Sequence, residues 1–96
     1  MGWATSLIEQ LKQGLVVKAR PRGNSMSGKI ESGQLVTIAP VSKPLRKGDI
    51  VLCKVNGSEY LHLIKAIDGE RYLIGNNHGR INGWTNNVFG IVVSIE

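Results

Sequence analysis

The sequence predicts a mainly β domain, a small twisted antiparallel sheet or partly open barrel carrying one N-terminal helix, and three observations support this. From residue 35 onward, short runs rich in Val, Ile, Leu and Tyr alternate with turn-forming residues. Two of these junctions are Asn56-Gly57 and Asp68-Gly69, and Asn-Gly supplies the two positive-φ positions of a type I′ hairpin. Helical spacing of apolar residues occurs near the N-terminus, at Trp3, Leu7, Ile8 and Leu11, and stops at Gly14. The 96 residues are expected to form one domain, with a helix in residues 1–14 and a β unit in residues 15–96.

Taken in order, Ser6 and Glu9 have the spacing of a capping box at the start of the helix. Leu15 to Ala19 reads as a strand, which Arg20-Pro21-Arg22-Gly23 ends with a stiff, extended approach to a glycine-punctuated turn. Leu35 to Ala39 and Asp49 to Val55 are the next strands. Asn56-Gly57 should fold Asp49–Val55 against Glu59–Ile67, and Asp68-Gly69 should fold Glu70–Ile74 back onto the same central strand. Polar residues 75–87, with Asn82-Gly83 inside them, read as a long connection, and Val88 to Ile95 closes the chain as a strand able to pair with a second copy.

Composition narrows the functional classes. Apolar residues make up 42% and charged residues 20%, as in ordinary soluble proteins, and no run approaches a membrane span. The N-terminus lacks the basic start and continuous apolar run of a secretory signal, and the single cysteine, Cys53, has no internal partner; both fit a cytoplasmic protein. Net charge is +5, with eight of the twelve Lys and Arg in residues 1–47. Lys18, Arg20, Arg22, Lys29, Lys43, Arg46 and Lys47 read as a solvated surface or, alternatively, as a positive rim around the glycine-punctuated turn, but aromatic residues at 5% are too sparse for a base-stacking platform, so nucleic acid is not the expected partner. Cys53, His62 and His78 lack the short paired spacing of a metal site, and Gly23 to Lys29 lacks the glycine spacing and Lys-Ser/Thr ending of a phosphate loop; no metal or cofactor is expected.

Two residues stand out as chemistry. Ser25 lies in Gly23-Asn-Ser-Met-Ser-Gly-Lys29, where a sharp backbone turn leaves a hydroxyl uncovered. His62 lies in the central strand, where alternation sets Tyr60, His62 and Ile64 on one face and Leu61, Leu63 and Lys65 on the other. A neutral imidazole accepts a serine proton near neutral pH, so a hydroxyl and an imidazole brought together from distant segments make an activated nucleophile. His78 reads as an exposed loop residue.

Four boxes in this order, Gly23 to Gly33, Lys47-Gly-Asp-Ile-Val51, Glu59-Tyr-Leu-His-Leu-Ile-Lys65 and Gly69 to Asn77, resemble the serine peptidase clan of signal peptidases and LexA-type repressor peptidase domains. The resemblance covers about residues 20–95. It implies Ser25 as nucleophile and His62 as general base, in the position that lysine takes in many members. It places Asn76 where histidine-using members carry an acid, so Asn76 is expected to orient the imidazole without balancing its charge. Ser27, Gly28 and Gln34 depart from the clan's usual pattern. The implied function is a soluble serine endopeptidase cutting a peptide or protein substrate in trans. The alternative is a catalytically inactive peptidase-like binding or dimerisation module, of phage or repressor type.

Overall fold

The computed structural model describes residues 3–96, and its architecture is the expected mainly β one: seven antiparallel strands in one unclosed sheet and one short helix. In chain order these are α1 (Thr5–Lys12), β1 (Val17–Ala19), β2 (Val36–Ala39), β3 (Ile50–Val55), β4 (Ser58–Asp68), β5 (Arg71–Gly75), β6 (Ile81–Thr85) and β7 (Val88–Ile95). The strands lie in the order β1-β2-β7-β3-β4-β5-β6. Met1 and Gly2, within the expected helical segment, lie outside the described residues.

Helix α1 ends as the sequence indicates. Gly14 adopts φ +84°, and the N–H groups of Gly14 and Leu15 donate to Leu11 O (3.0 Å) and Gln10 O (3.0 Å), the paired bonds of a Schellman cap. Its start differs from expectation. The N-cap is the fully buried Ala4, with no side-chain cap, and Ser6 lies inside the helix with Gln10 Nε2 donating to its Oγ at 3.3 Å. Burial of Ala4 in the core, rather than a capping box, fixes the entry of the chain.

The sheet buries apolar residues on both sides. One face packs Val36, Ile38, Leu52, Leu61 and Leu63 against Ile8 and Leu11 of α1 and against Met26 and Ile30 of the β1–β2 connection. The other gathers Val51, Cys53, Val55, Ile64 and Ile74. Burying each of the larger aliphatic side chains contributes about 1.5–3 kcal/mol before entropy is charged. Asn56 and Gly57 have φ +50° and +84°, so the β3–β4 hairpin has its type I′ turn.

The polar stretch 75–87 is not a single connection. Ile81–Thr85 forms β6, paired with β5 through Leu73↔Trp84 and Ile74↔Gly83, with a register shift at Ile74/Gly75. Asn82-Gly83 therefore lies within a strand, where Gly83 takes φ +136°. The outer end of the sheet then curls back on β3: Thr85 Oγ1 donates to Lys54 O (2.6 Å) and Lys54 N–H donates to Asn87 O (2.9 Å). Strand β7 is internal, between β2 and β3, while β1 and β6 form the two edges. No helix among the described residues is long and apolar enough to cross a membrane.

Candidate active site

Ser25 is presented by the residue that follows it. After β1 the chain turns at Gly23, and Met26 drops into the helix-side core together with Ile30, both buried. A helix-like turn between them is closed by Ile30 N–H donating to Met26 O at 2.8 Å. Anchoring at Met26 leaves Ser25 exposed above it. No described residue accepts a hydrogen bond from the Ser25 N–H.

His62 arrives from β4, where its register partner is Val51. The ring is mostly buried and stacks on Tyr60, with centroids 5.0 Å apart. Its Nδ1 lies 2.7 Å from Asn82 Oδ1 and its Nε2 lies 3.2 Å from Ser25 Oγ. An amide oxygen only accepts, so Nδ1 carries the proton, Nε2 is bare, and the Ser25 hydroxyl donates to it. Burial lowers the His62 pKa below its ordinary value, while the hydrogen bond to Asn82 opposes that shift. The imidazole is thus neutral at neutral pH and oriented to take a proton from Ser25.

Ser25 and His62 are therefore brought together, while Asn76 is engaged elsewhere. Asn76 Oδ1 accepts from the N–H groups of His78 (2.8 Å) and Arg80 (3.0 Å), and Asn76 N–H donates to Arg80 O (2.9 Å), building the tight β5–β6 turn. The side chain on His62 Nδ1 is Asn82, six residues further on. Reading Asn82-Gly83 as turn chemistry hid it; the signal that pointed to it was the apolar Ile81 and Trp84 flanking that dipeptide, a strand-like setting for an amide. Lys65 is the unpaired residue at the β4 register shift, and its side chain lies over Gly75. A Cβ at Gly75 would sit 3.0 Å from Lys65 Cε and 2.6 Å from the Arg80 carbonyl, so only glycine fits there.

The site opens into a cleft of about 410 Å³ between the Arg20–Gly23 segment and Glu59–His62 of β4, with Met26 and Ile30 beneath and Trp3 at its edge. Its charges are mixed: Arg20 and Arg22 face it together with Glu31 and Glu59, and Arg20 already donates to Gly33 O at 2.9 Å. Over Ser58–Leu63 strand β4 pairs with β3, whereas β5 joins it only from Leu63 onward. The cleft side of Glu59–His62 is thus a strand edge without a neighbouring strand. Cys53 takes no part: it is fully buried, and burial pushes its thiol pKa up to about 12. Among the described residues, no three His, Cys, Asp or Glu side chains are grouped so as to hold a metal ion.

A search of curated proteins finds no match to this chain. The profile of the family described as Peptidase S24-like matches residues 3–84, a span that takes in α1, the serine turn, β4 and the Asn82 segment of β6. The kinship indicated by the four sequence boxes is thereby shown, and the chain belongs to the Peptidase S24-like family.

Proposed function

We propose that this protein is a serine endopeptidase in which Ser25 is the nucleophile, His62 the general base and Asn82 the group that fixes the imidazole tautomer. The observation that supports it most directly is the chain of contacts Ser25 Oγ–His62 Nε2 at 3.2 Å and His62 Nδ1–Asn82 Oδ1 at 2.7 Å, at one end of an open cleft. An extended peptide lies along the unpaired edge of β4 and presents its carbonyl carbon to Ser25 Oγ. As the O–C bond forms, the hydroxyl proton passes to His62 Nε2, and the Ser25 N–H meets the developing oxyanion. The imidazolium returns that proton to the departing amine; water, deprotonated by His62, then cleaves the ester and restores the serine. Asn76 acts one step removed, by shaping the turn beside the serine.

The substrate is a peptide or protein cut in trans, in the cytoplasm, and a homodimer through the C-terminal strand belongs to the same reading. Val93 and Ile95 of β7 are exposed and offer the apolar surface for a second copy. The competing role, an inactive binding module, shares the fold and the cleft but needs no activated hydroxyl.

Intact-mass analysis after incubation with a small fluorophosphonate, together with cleavage of a proteome-derived peptide library, separates the two. A single adduct and new peptide termini, both lost in folded Ser25→Ala and His62→Ala variants, are expected. Absence of both adduct and cleavage from pH 6 to 10 refutes the peptidase reading.

A further inference from the structure

The β5–β6 turn does more than connect two strands. Asn77 N–H donates to Ser25 O at 3.0 Å, and Asn77 Nδ2 donates to Ser27 O at 2.9 Å, so one residue grips the serine turn on both sides of Met26. His78 adds a third bond, its Nε2 lying 3.0 Å from Asn24 O. Gly28 completes the fit: it has φ +93°, and a Cβ there would lie 3.0 Å from Asn77 Nδ2. Met26 and Ile30 reach into the core, Ser27 Oγ lies 2.7 Å from His78 Nε2, Arg20 donates to Gly33 O at 2.9 Å, and bonds such as Gly28 N–H to Glu31 Oε2 at 2.6 Å and Gly23 N–H to Ser32 Oγ at 3.1 Å are internal to the segment. His62 and Asn82 sit on strands. Ser25 does not, and the distance between its Oγ and His62 depends on where the turn is held.

We infer that Asn77 is a positioning residue, whose amide clamps the carbonyls of Ser25 and Ser27 and thereby sets the alignment of Ser25 Oγ with His62 Nε2. This rests on the proposed Ser25–His62 couple. Two requirements fall on the residue at 77: a backbone N–H, which any residue except proline supplies, and a side-chain donor of amide length. Aspartate is the same size but is an acceptor, so it would face the Ser27 carbonyl with like polarity.

The test uses the full chain carrying Ser25→Cys, because a thiol reports its partner through pH. A free thiol ionises near pH 8.5, and pairing with an imidazole creates reactive thiolate well below that. Alkylation at position 25 by iodoacetamide is followed by intact mass; Cys53 is buried and does not compete. With Asn77 intact, alkylation is expected to persist near pH 6. Adding Asn77→Asp is expected to lower the pH 6 rate about tenfold or more while leaving the rate above about pH 9 within twofold, and Asn77→Gln, which keeps a donor, is expected to recover part of the loss. Asn77→Ala takes the place of Asn77→Asp if the latter does not fold. A low-pH rate that survives Asn77→Asp and Asn77→Ala unchanged overturns the positioning role alone. An ordinary thiol profile in the Ser25→Cys protein itself overturns both this role and the couple beneath it.

Discussion

Two serine–histidine pairs stand side by side in this molecule, and they differ in chemistry because of what else each ring touches. Ser25 Oγ is 3.2 Å from His62 Nε2, and Ser27 Oγ is only 2.7 Å from His78 Nε2. By distance the second pair is the better couple. Yet His78 Nε2 also lies 3.0 Å from Asn24 O, and a carbonyl only accepts, so that nitrogen carries a proton and the Ser27 hydroxyl can only receive from it. At His62 the acceptor is on the opposite nitrogen, Nδ1, which leaves Nε2 bare toward the serine. Burial separates the pairs as well: His62 is largely shielded from solvent, whereas His78 is exposed. A short hydrogen bond is therefore poor evidence for a general base, and the partner of the remote nitrogen is better evidence.

The sharpest way to break this comparison is to exchange the roles. His62→Gln is expected to slow adduct formation or peptide cleavage by on the order of 10²–10⁴, the usual contribution of a general base, while His78→Gln, which retains a donor for Asn24 O, stays within about tenfold of the parent. Likewise Ser25→Ala abolishes the adduct and Ser27→Ala does not. Equal losses from both histidines, measured as second-order labelling rates, would show that the remote-nitrogen criterion is wrong.

A smaller effect is expected at Asn82. Replacing it by aspartate keeps the acceptor on Nδ1 and adds a negative charge, which favours the imidazolium formed during catalysis. Asn82→Asp should raise the rate at pH 8 about tenfold and move the acid limb of the pH profile upward, since one unit of pKa corresponds to a factor of ten. Asn82→Ala should slow the reaction at all pH values. A pH profile unmoved by Asn82→Asp would place the amide outside the proton path.

The smallest effect is on stability. The folded pKa of His62 lies below its ordinary value of 6.5 because burial disfavours the charged ring. The unfolded chain therefore binds the proton more readily, and the contribution of neutral His62 to stability is complete above about pH 6.5 and lost as pH falls through the lowered folded value. The melting temperature should drop on acidification over that window, and by less in His62→Gln, as a scan of Tm against pH would show. The proposed catalysis has the same sign: the rate rises with pH as His62 loses its proton, and levels off at lower pH than an unshifted imidazole would give.

How far the sequence reveals this molecule follows the range of the interactions. The β3–β4 hairpin was legible because Asn56-Gly57 encodes its own turn, and the C-terminal end of α1 because Gly14 encodes its own stop. Strand β6 was not, since Ile81–Thr85 carries Asn, Gly and Thr and is a strand only through its pairing with β5 and its tie to Lys54. The same locality divides the site. Ser25 announces itself by the glycines around it and His62 by its place in an apolar strand, whereas which of Asn76, Asn77 and Asn82 meets His62 Nδ1 is decided mainly by tertiary geometry. Three asparagines within seven residues make three different sets of contacts, and locally only the apolar neighbours Ile81 and Trp84 set Asn82 apart from the other two.

The missing neighbour along Glu59–His62 has a consequence for how the protein would respond to its ligand. A peptide seated there supplies the sheet with a strand it lacks, so occupancy and fold stability become one thermodynamic quantity. Any peptide that binds only the folded chain raises the unfolding free energy by RT ln(1 + [L]/Kd), about 2.7 kcal/mol at a hundredfold excess over Kd. An uncut ligand would thus reveal itself as a rise in melting temperature, and a good substrate as a rise that fades while it is consumed.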